Sequence, residues 1–368
     1  MRLIPINAVK EGAFLAQTLY NDNGQVLLSK GVKINERLKA KIKEQGFYSI
    51  YIFDDYSQDE LEDIIKPEIR RKAIQSVRTV LNALPRLEND DVNTFQKKKI
   101  ENEVNRHLED IQDLAKLIVN DVFSQRDVMI SLVDIKNTDN YTYMHSVNTS
   151  ILALVLGIGY GLNKNELYEL TLGAMLHDIG KMYIPGEILN KDGPLTDEEF
   201  KIIQQHPLRG FNYLKDRTEL SGKVRIIALQ HHEKMDGTGY PYGLKDDQIY
   251  ILSKMTSIAD IYDAITSDRP YRKSMPPNEA VEFIMGSAGR YFTIDLVKAF
   301  IKKIVPYPVG TIVRLSNNCI GVIENINQEF ILRPVIKIIK EQEKEVSPYL
   351  CNLMRESNVI IQGIVYNV

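Results

Sequence analysis

The feature that most constrains this chain is a series of histidines and aspartates spaced about one helix apart. Residues 128–305 have an almost wholly helical pattern, and five of the six histidines fall between His145 and His232. Asp178 and Asp260 belong to the same series, whose successive members are 25 to 32 residues apart. Each interval fits one helix and its connection. Successive helices of a bundle would therefore each offer one or two ligands to a common interior point.

The residue types in this series indicate a metal site built from nitrogen and oxygen. Neutral imidazoles and carboxylates without thiolates suit Fe, Mn, Co, Ni or Zn, and a carboxylate such as Asp178 can bridge two ions. A lone histidine is more often a hydrogen-bonded core or surface residue, and we interpret His107 in that way. The other five resist this interpretation together, because five buried imidazoles and two carboxylates would leave many polar groups needing partners. Adjacent His231 and His232 would also project about 100° apart on a helix.

Composition excludes several classes of protein. With 46 Lys and Arg against 49 Asp and Glu, the net charge of −3 argues against a binder of nucleic-acid polymers. Cys319 and Cys351 are too few and too far from the histidines for a disulfide scaffold or a thiolate site. The N-terminus lacks the apolar core of a signal peptide, and the apolar run at residues 151–158 is too short to span a membrane. We expect a cytoplasmic protein that does not bind membranes.

The chain divides into four predicted parts. Residues 1–55 form a small α+β module, 56–127 a charged helical connector, 128–305 the helical domain and 306–368 a β-module. The fold class is therefore mainly α. The connector has apolar residues at helical spacing, namely Ile74, Val77, Leu81, Leu84, Val104, Leu108, Ile111, Ile118 and Val122. Without a sustained heptad repeat we favour packing of this face on the next domain, with a homodimer through the connector as the alternative.

Two helix starts can be predicted locally. Thr196 and Glu199 form a capping box, so a helix should run from Asp197 towards His206 and stop before Pro207. Leu195 and Phe200 occupy the hydrophobic-staple positions of the same helix. Another helix should begin near Pro277 and Asn278.

Three segments carry a resemblance to a known family. HDIGK at residues 177–181, HHEKMDGTGYP at 231–241 and ADIYDAITSDRPYR at 259–272 resemble the HD-GYP domain, a branch of the HD phosphohydrolase superfamily. The resemblance covers roughly residues 128–305. It implies an HD-type helical bundle as the catalytic domain and metal-dependent hydrolysis of the bacterial second messenger cyclic di-GMP.

The resemblance also implies roles for individual residues. The metal ligands would be His145, His177, Asp178, His206, His231, His232 and Asp260. Lys181 would face the scissile phosphate, and Tyr240, Arg269 and Arg272 would contact the substrate. Because Tyr141 stands where some members have a glutamate that holds a third ion, we predict two divalent ions, with Fe or Mn preferred over Co, Ni or Zn. Asp263, one helical turn after Asp260, is expected to support a ligand and not to bind metal itself.

The implied chemistry is attack by a hydroxide bridging two ions that Asp178 also bridges. Lys181 would help to neutralise the phosphate oxygens, and the product would be pGpG, with further cleavage to GMP left open. Gly237, Gly239 and Pro241 would let the loop approach a ligand closely. Two alternatives remain: hydrolysis of another cyclic dinucleotide such as cyclic GMP-AMP, and a weakly catalytic receptor for cyclic di-GMP.

Overall fold

The protein is mainly helical, with a small module at each end. The computed structural model describes residues 1–20, 25–45, 47, 49–53, 64–88, 93–124, 130–131, 141–189, 191, 193–217, 220–267 and 275–366. Within these residues a helical bundle is preceded by short strands and followed by an antiparallel sheet. The predicted fold class is confirmed.

The N-terminal module surrounds a core of its own. Its elements are β1 (Arg2–Pro5), β2 (Phe14–Leu15), β3 (Leu19–Tyr20), β4 (Val26–Leu28), α1 (Glu36–Glu44) and β5 (Ser49–Phe53). Antiparallel pairing gives the order β1-β5-β2, with β3 and β4 in a separate ladder. Asn35 begins α1 by accepting a hydrogen bond from the Leu38 backbone amide, 2.9 Å away. Alternate residues of the strands, such as Ile4, Ile50 and Ile52, bury their side chains in this core.

Two long helices form the connector, α2 (Pro67–Glu88) and α3 (Thr94–Phe123). The predicted apolar face is buried in the same core as the following helices, as Val77, Val104, Ile111 and Ile118 illustrate. Packing within the chain, the interpretation we favoured, therefore accounts for this face. The side chain of Leu84 lies outside the described residues.

The helical bundle follows and contains the predicted site. Its elements are β6 (Ile130–Ser131), α4 (Tyr141–Tyr160), α5 (Lys164–Leu176), α6 (Gly186–Leu189), α7 (Asp197–Ile203), α8 (His206–Lys215), α9 (Gly222–Gln230), α10 (Ile251–Thr266), α11 (Pro277–Gly286), α12 (Ile294–Ile301) and β7 (Ile304–Val305). The two short strands pair in parallel, so the beginning and the end of the bundle lie side by side. In the part of the chain that the structure describes, no helix combines the length and apolarity that crossing a membrane requires.

The capping box is confirmed, and its helix stops before Pro207 as predicted, although it does not reach His206. Thr196 accepts from the Glu199 amide and the Glu199 side chain accepts from the Thr196 amide. The helix ends at Ile203, and α8 begins at His206 with Pro207 in its first turn. Proline is tolerated there because the first turn needs no amide donor. Pro207 therefore starts a helix instead of stopping one. The second predicted start, at Pro277, is confirmed.

The C-terminal module is a sheet of five antiparallel strands. These are β8 (Ile312–Leu315), β9 (Cys319–Asn325), β10 (Val335–Glu341), β11 (Lys344–Asn352) and β12 (Ile361–Ile364), in the order β11-β10-β9-β8-β12. Val313, Ile323 and Ile338 contribute to a separate hydrophobic core. This module also contacts the N-terminal one, because Arg2 donates to the carbonyl oxygens of Val365 and Tyr366.

One close backbone contact fixes the segment that follows α5. Residues Ile179–Tyr183 form a 3-10 turn against the start of α8. A Cβ atom at Gly180 would lie 2.0 Å from the His206 carbonyl oxygen and 2.6 Å from the Gly210 amide nitrogen. Only glycine therefore allows these two segments to approach so closely.

Gly180→Ala should accordingly destabilise the fold by about 1–3 kcal/mol or more, because backbone atoms must move apart. Gly286→Ala is the matched control, since Gly286 ends α11 and a Cβ there meets nothing within 4 Å. We expect Gly286→Ala to be neutral or stabilising by up to about 1 kcal/mol. Urea unfolding midpoints compare the two. Equal midpoints for Gly180→Ala and the wild type would show that the contact is not constraining.

Candidate metal centre

All seven residues predicted as metal ligands meet at one place in the bundle. Six are buried and His232 is partly buried. Their ligand atoms form two sets, and within each set the atoms lie within 4.8 Å of one another. The first set is Asp178, His206, His231 and His232, and the second is His145, His177 and Asp260. Residues separated by more than a hundred positions in sequence thus face a common interior point.

Asp178 lies between the two sets and faces both. Its Oδ1 atom is 3.3 Å from His206 Nε2 and 3.7 Å from His231 Nε2. Its Oδ2 atom is 3.2 Å from His177 Nε2 and 3.8 Å from His145 Nε2. One carboxylate oxygen therefore serves each set, which is the geometry that a bridging ligand needs.

Asp260 makes a second, looser link between the sets. Its Oδ1 atom is 2.9 Å from His145 Nε2, and its Oδ2 atom is 3.8 Å from His232 Nδ1. It projects from the middle of α10, whereas His145 projects from α4, so the two helices meet through this pair. On this side of the centre the ligand candidates therefore come from within helices and not from helix ends.

The other ligand candidates sit at helix ends, which orient their rings. His177 caps α5, His231 caps α9, and His206 follows shortly after α7. Each ring donates from Nδ1 to the carbonyl oxygen three residues earlier, at 2.6, 2.9 and 2.7 Å respectively. Carbonyls in the last turn of a helix are available because they have no intrahelical partner. The bond fixes the tautomer and directs Nε2 into the centre.

His145 is oriented in the same way, but by a carboxylate. Its Nδ1 atom is 2.7 Å from Asp263 Oδ2, and Asp263 is fully buried. Asp263 belongs to neither ligand set. It therefore occupies the supporting position expected from its place one turn after Asp260.

The protonation equilibria of the cluster are strongly shifted. Burial would raise the pKa of Asp178, but its electrostatic interactions with His177 and Lys181 hold that pKa well below its usual range. Burial lowers the pKa of His231 to about 4 and also lowers those of His206 and His232. Burial acts in the same direction on His145, yet its hydrogen bonds to Asp260 and Asp263 outweigh this effect and raise its pKa to about 9. Most of the cluster thus has the ionised carboxylates and neutral imidazoles that a cation requires.

Two orphaned atoms test whether these residues suit a metal. His177 Nε2 and Asp178 Oδ1 are buried, and although Asp178 Oδ2 and His206 Nε2 lie 3.2 and 3.3 Å from them, neither atom makes a well-aligned hydrogen bond to a residue that the structure describes. Leaving such atoms unsatisfied is costly. Both belong to the ligand sets and point into the centre. A divalent cation would satisfy them, so the donor set fits a metal.

The pair His231 and His232 converges for a reason other than the one expected. Helix α9 ends at Gln230 and His231 caps it, so His232 lies beyond the end of the helix. Their ring centroids are 4.1 Å apart, and both rings lie near His206. The end of a helix, and not its face, therefore brings two consecutive histidines to one site.

Glu233, which the sequence interpretation passed over, holds the loop after this pair. It is buried, and its two carboxylate oxygens accept from the backbone amides of Tyr242 and Leu244, each at 2.8 Å. Its position in the sequence, a charged residue between a pair of ligand candidates and a glycine-rich loop, is the feature that could have indicated this role. Gly239 was expected to approach a ligand, but its Cβ position lies 2.4 Å from the Lys234 amide nitrogen. In the structure Gly239 instead brings the loop against its own chain.

Two of the four predicted substrate contacts can be placed. Lys181 Nζ is 2.6 Å from Asp178 Oδ2, and Tyr240 lies over His232 with ring centroids 4.6 Å apart. Burial and the charges of Asp260 and Asp178 raise the pKa of the Tyr240 hydroxyl. Arg269, Arg272 and the side chain of Tyr141 lie outside the described residues. His107 pairs with Asp110 on α3, away from both ligand sets, at 3.2 Å.

Known proteins resemble the chain in two segments. The family model described as an HD domain matches residues 127–295, and one described as a KOW domain associated with HD domain matches residues 312–367. The chain is 40% identical over 234 residues to the cyclic di-GMP phosphodiesterase PA4108 of Pseudomonas aeruginosa, covering 64% of this chain and 56% of that protein. It is 37% identical over 169 residues to 3'3'-cGAMP-specific phosphodiesterase 1 of Vibrio cholerae, covering 46% and 38%. The chain thus spans little more than half of the first relative and less of the second.

A solved structure supports the fold. Bd1817, an HDG"Y"P protein from Bdellovibrio bacteriovorus, superposes with a TM-score of 0.50 at 21% identity, covering 81% of this chain and 97% of that one. At this identity the likeness concerns architecture alone. The HD-domain match identifies residues 127–295 as an HD domain, and the motifs at residues 177–181 and 231–241 within it are similar to those of the HD-GYP branch.

Proposed function

We propose that this protein is a phosphodiesterase that hydrolyses cyclic di-GMP to pGpG at a centre of two divalent ions. The observation that supports this most directly is the position of Asp178, with one oxygen toward each of two ligand sets. Two ions bound by these sets would supply an activated water and neutralise charge on the phosphate. Imidazole and carboxylate donors suit Fe, Mn, Co, Ni or Zn, and the resemblance to the HD-GYP domain makes Fe or Mn the expected metal.

The chain's own residues would orient the reactants. Four of the seven ligand candidates are already oriented, three by carbonyl oxygens at helix ends and His145 by Asp263, so little reorganisation of these rings is needed. Lys181, beside Asp178 and partly exposed, is placed to offer its ammonium to a non-bridging phosphate oxygen. The Tyr240 hydroxyl, kept protonated by its raised pKa, can donate a hydrogen bond to the substrate. No nucleophilic side chain is required by this chemistry.

A second candidate substrate is 3'3'-cyclic GMP-AMP. The Vibrio cholerae relative is named for that dinucleotide, and the one from Pseudomonas aeruginosa for cyclic di-GMP. Both substrates present the same phosphodiester to the metal centre, so the ligand sets do not distinguish them. The residues that contact the bases decide the preference. We place cyclic di-GMP first because several relatives carry its name.

The function predicts a specific product. Enzyme loaded with Mn, or with Fe under anaerobic conditions, should convert cyclic di-GMP to pGpG, and the double variant His177→Ala with Asp178→Ala should abolish turnover because it removes a ligand from each set. Chromatography of the products measures both results. The matched control is His107→Ala with Asp110→Ala, another histidine–aspartate pair, which should retain activity. Tight binding without product in the wild type would favour the receptor; selective cleavage of cyclic GMP-AMP would favour the second substrate.

Metal content tests the arrangement of the two sets. The wild type should hold about two ions per chain, and His206→Ala, which touches one set, should retain about one. Asp178→Ala should lose both, because Asp178 faces both sets. Elemental analysis after gel filtration gives the stoichiometry. Three tightly bound ions in the wild type, or equal losses in the two variants, would contradict the two-ion arrangement with a shared carboxylate.

Asp263 should govern affinity without being a ligand. Asp263→Asn removes the negative charge that holds the Nδ1 proton of His145, so we expect metal affinity to fall about 10- to 100-fold. Chelator competition measures the affinity, and Asp295→Asn, at an exposed aspartate on α12, is the control. Unchanged affinity in Asp263→Asn would show that the ring of His145 is oriented by its packing alone.

A further inference from the structure

An exposed aromatic ring lies beside the metal centre and has no role in the proposed chemistry. Phe200, on α7, has 45% of its surface exposed. Its ring meets that of Tyr240 edge-on, with centroids 6.2 Å apart, and Tyr240 lies over His232. His232, Tyr240 and Phe200 thus form an aromatic strip that leads from the first ligand set towards solvent.

The helix that carries Phe200 is anchored at its start. Thr196 caps the start of α7, and the Lys191 ammonium bonds both carboxylate oxygens of Glu199 at 2.6 and 2.8 Å. The helix then leads within three residues to His206, a ligand candidate whose ring also contacts Tyr240. The ring therefore sits on an element that is fixed relative to the centre, so little ordering would be needed on binding.

The predicted hydrophobic staple would explain only part of this placement. A staple needs an apolar side chain that packs on Leu195, and leucine would serve as well as phenylalanine. It does not explain why an aromatic ring extends the strip while nearly half of its surface faces solvent. Single exposed apolar residues are common, but this one adjoins a second aromatic ring at a candidate active site.

We propose that Phe200 is the surface on which a nucleobase of the cyclic dinucleotide stacks. The inference rests on the proposed function, which holds the scissile phosphodiester at the ligand sets and Lys181. A ribose separates each base from its phosphate, so a base reaches the outer ring of the strip and not the ligands. Aromatic side chains bind bases by stacking on their faces, whatever their identity. Phe200 therefore contributes to affinity for any cyclic dinucleotide and does not select guanine over adenine.

Two substitutions separate stacking from the staple. Phe200→Leu keeps an apolar side chain and loses the ring, whereas Phe200→Tyr keeps the ring. With Mn-loaded enzyme and cyclic di-GMP, Phe200→Leu should raise KM about tenfold and leave kcat within about twofold, and Phe200→Tyr should restore KM. Phe330→Leu, at an exposed phenylalanine of the C-terminal module, should match the wild type. An unchanged KM in Phe200→Leu, or an equal rise in Phe200→Tyr, would overturn the proposal.

Equilibrium dialysis of the same metal-loaded variants separates this proposal from the proposed function. If the wild type binds cyclic di-GMP without turnover, hydrolysis of that substrate is refuted, and a tenfold weaker Kd in Phe200→Leu still supports stacking. Turnover in the wild type with equal Kd values in both proteins refutes stacking alone. A wild type that neither binds nor cleaves any cyclic dinucleotide refutes both.

Discussion

The structure depends on burying two carboxylates and five imidazoles at one point, which is costly unless each group has a partner. Backbone carbonyls at helix ends supply many of the hydrogen-bond partners that these buried groups need. The rings of His177, His206 and His231 donate to carbonyl oxygens in the last turn of a helix. These oxygens accept no hydrogen bond from within their own helix. These hydrogen bonds satisfy the backbone carbonyls and also direct the Nε2 atom of each ring into the centre. The fold itself therefore orients these ligand candidates.

This dependence explains why several helices of the bundle are short and stop where they do. Helix α7 ends at Ile203 and α9 at Gln230, each just before a ligand candidate. Continuing α9 would give the carbonyl oxygen of Ala228 a backbone amide partner, and this is the oxygen that accepts from the ring of His231. The close contact at Gly180 then brings the Asp178 segment against α8. Helix length here is set by the site, and the hydrophobic core accommodates it.

Local signals in the sequence were enough to predict the elements and the ligand candidates, but not their orientation. The capping box at Thr196 and the apolar face of α3 act over a few residues, so they can be read directly. The convergence of His231 with His232 and the buried carboxylate of Glu233 depend on how the chain turns after α9, which no short-range sequence signal specifies. Glu233 accepts hydrogen bonds from backbone amides nine and eleven residues away. Because almost every residue has a backbone amide, residue types do not reveal such a partner. The sequence pattern assigned Phe200 to the hydrophobic-staple position and did not predict its contact with Tyr240.

The parallel pair of β6 and β7 gives the bundle a property that its helices alone would not have. Ile130 lies opposite Ile304, so the chain enters and leaves the bundle through neighbouring positions. A unit whose two ends are adjacent can be placed between other segments without forcing them apart. The segments that precede and follow the bundle therefore start from neighbouring positions, and of these segments α2 and α3 also pack into the core of the bundle.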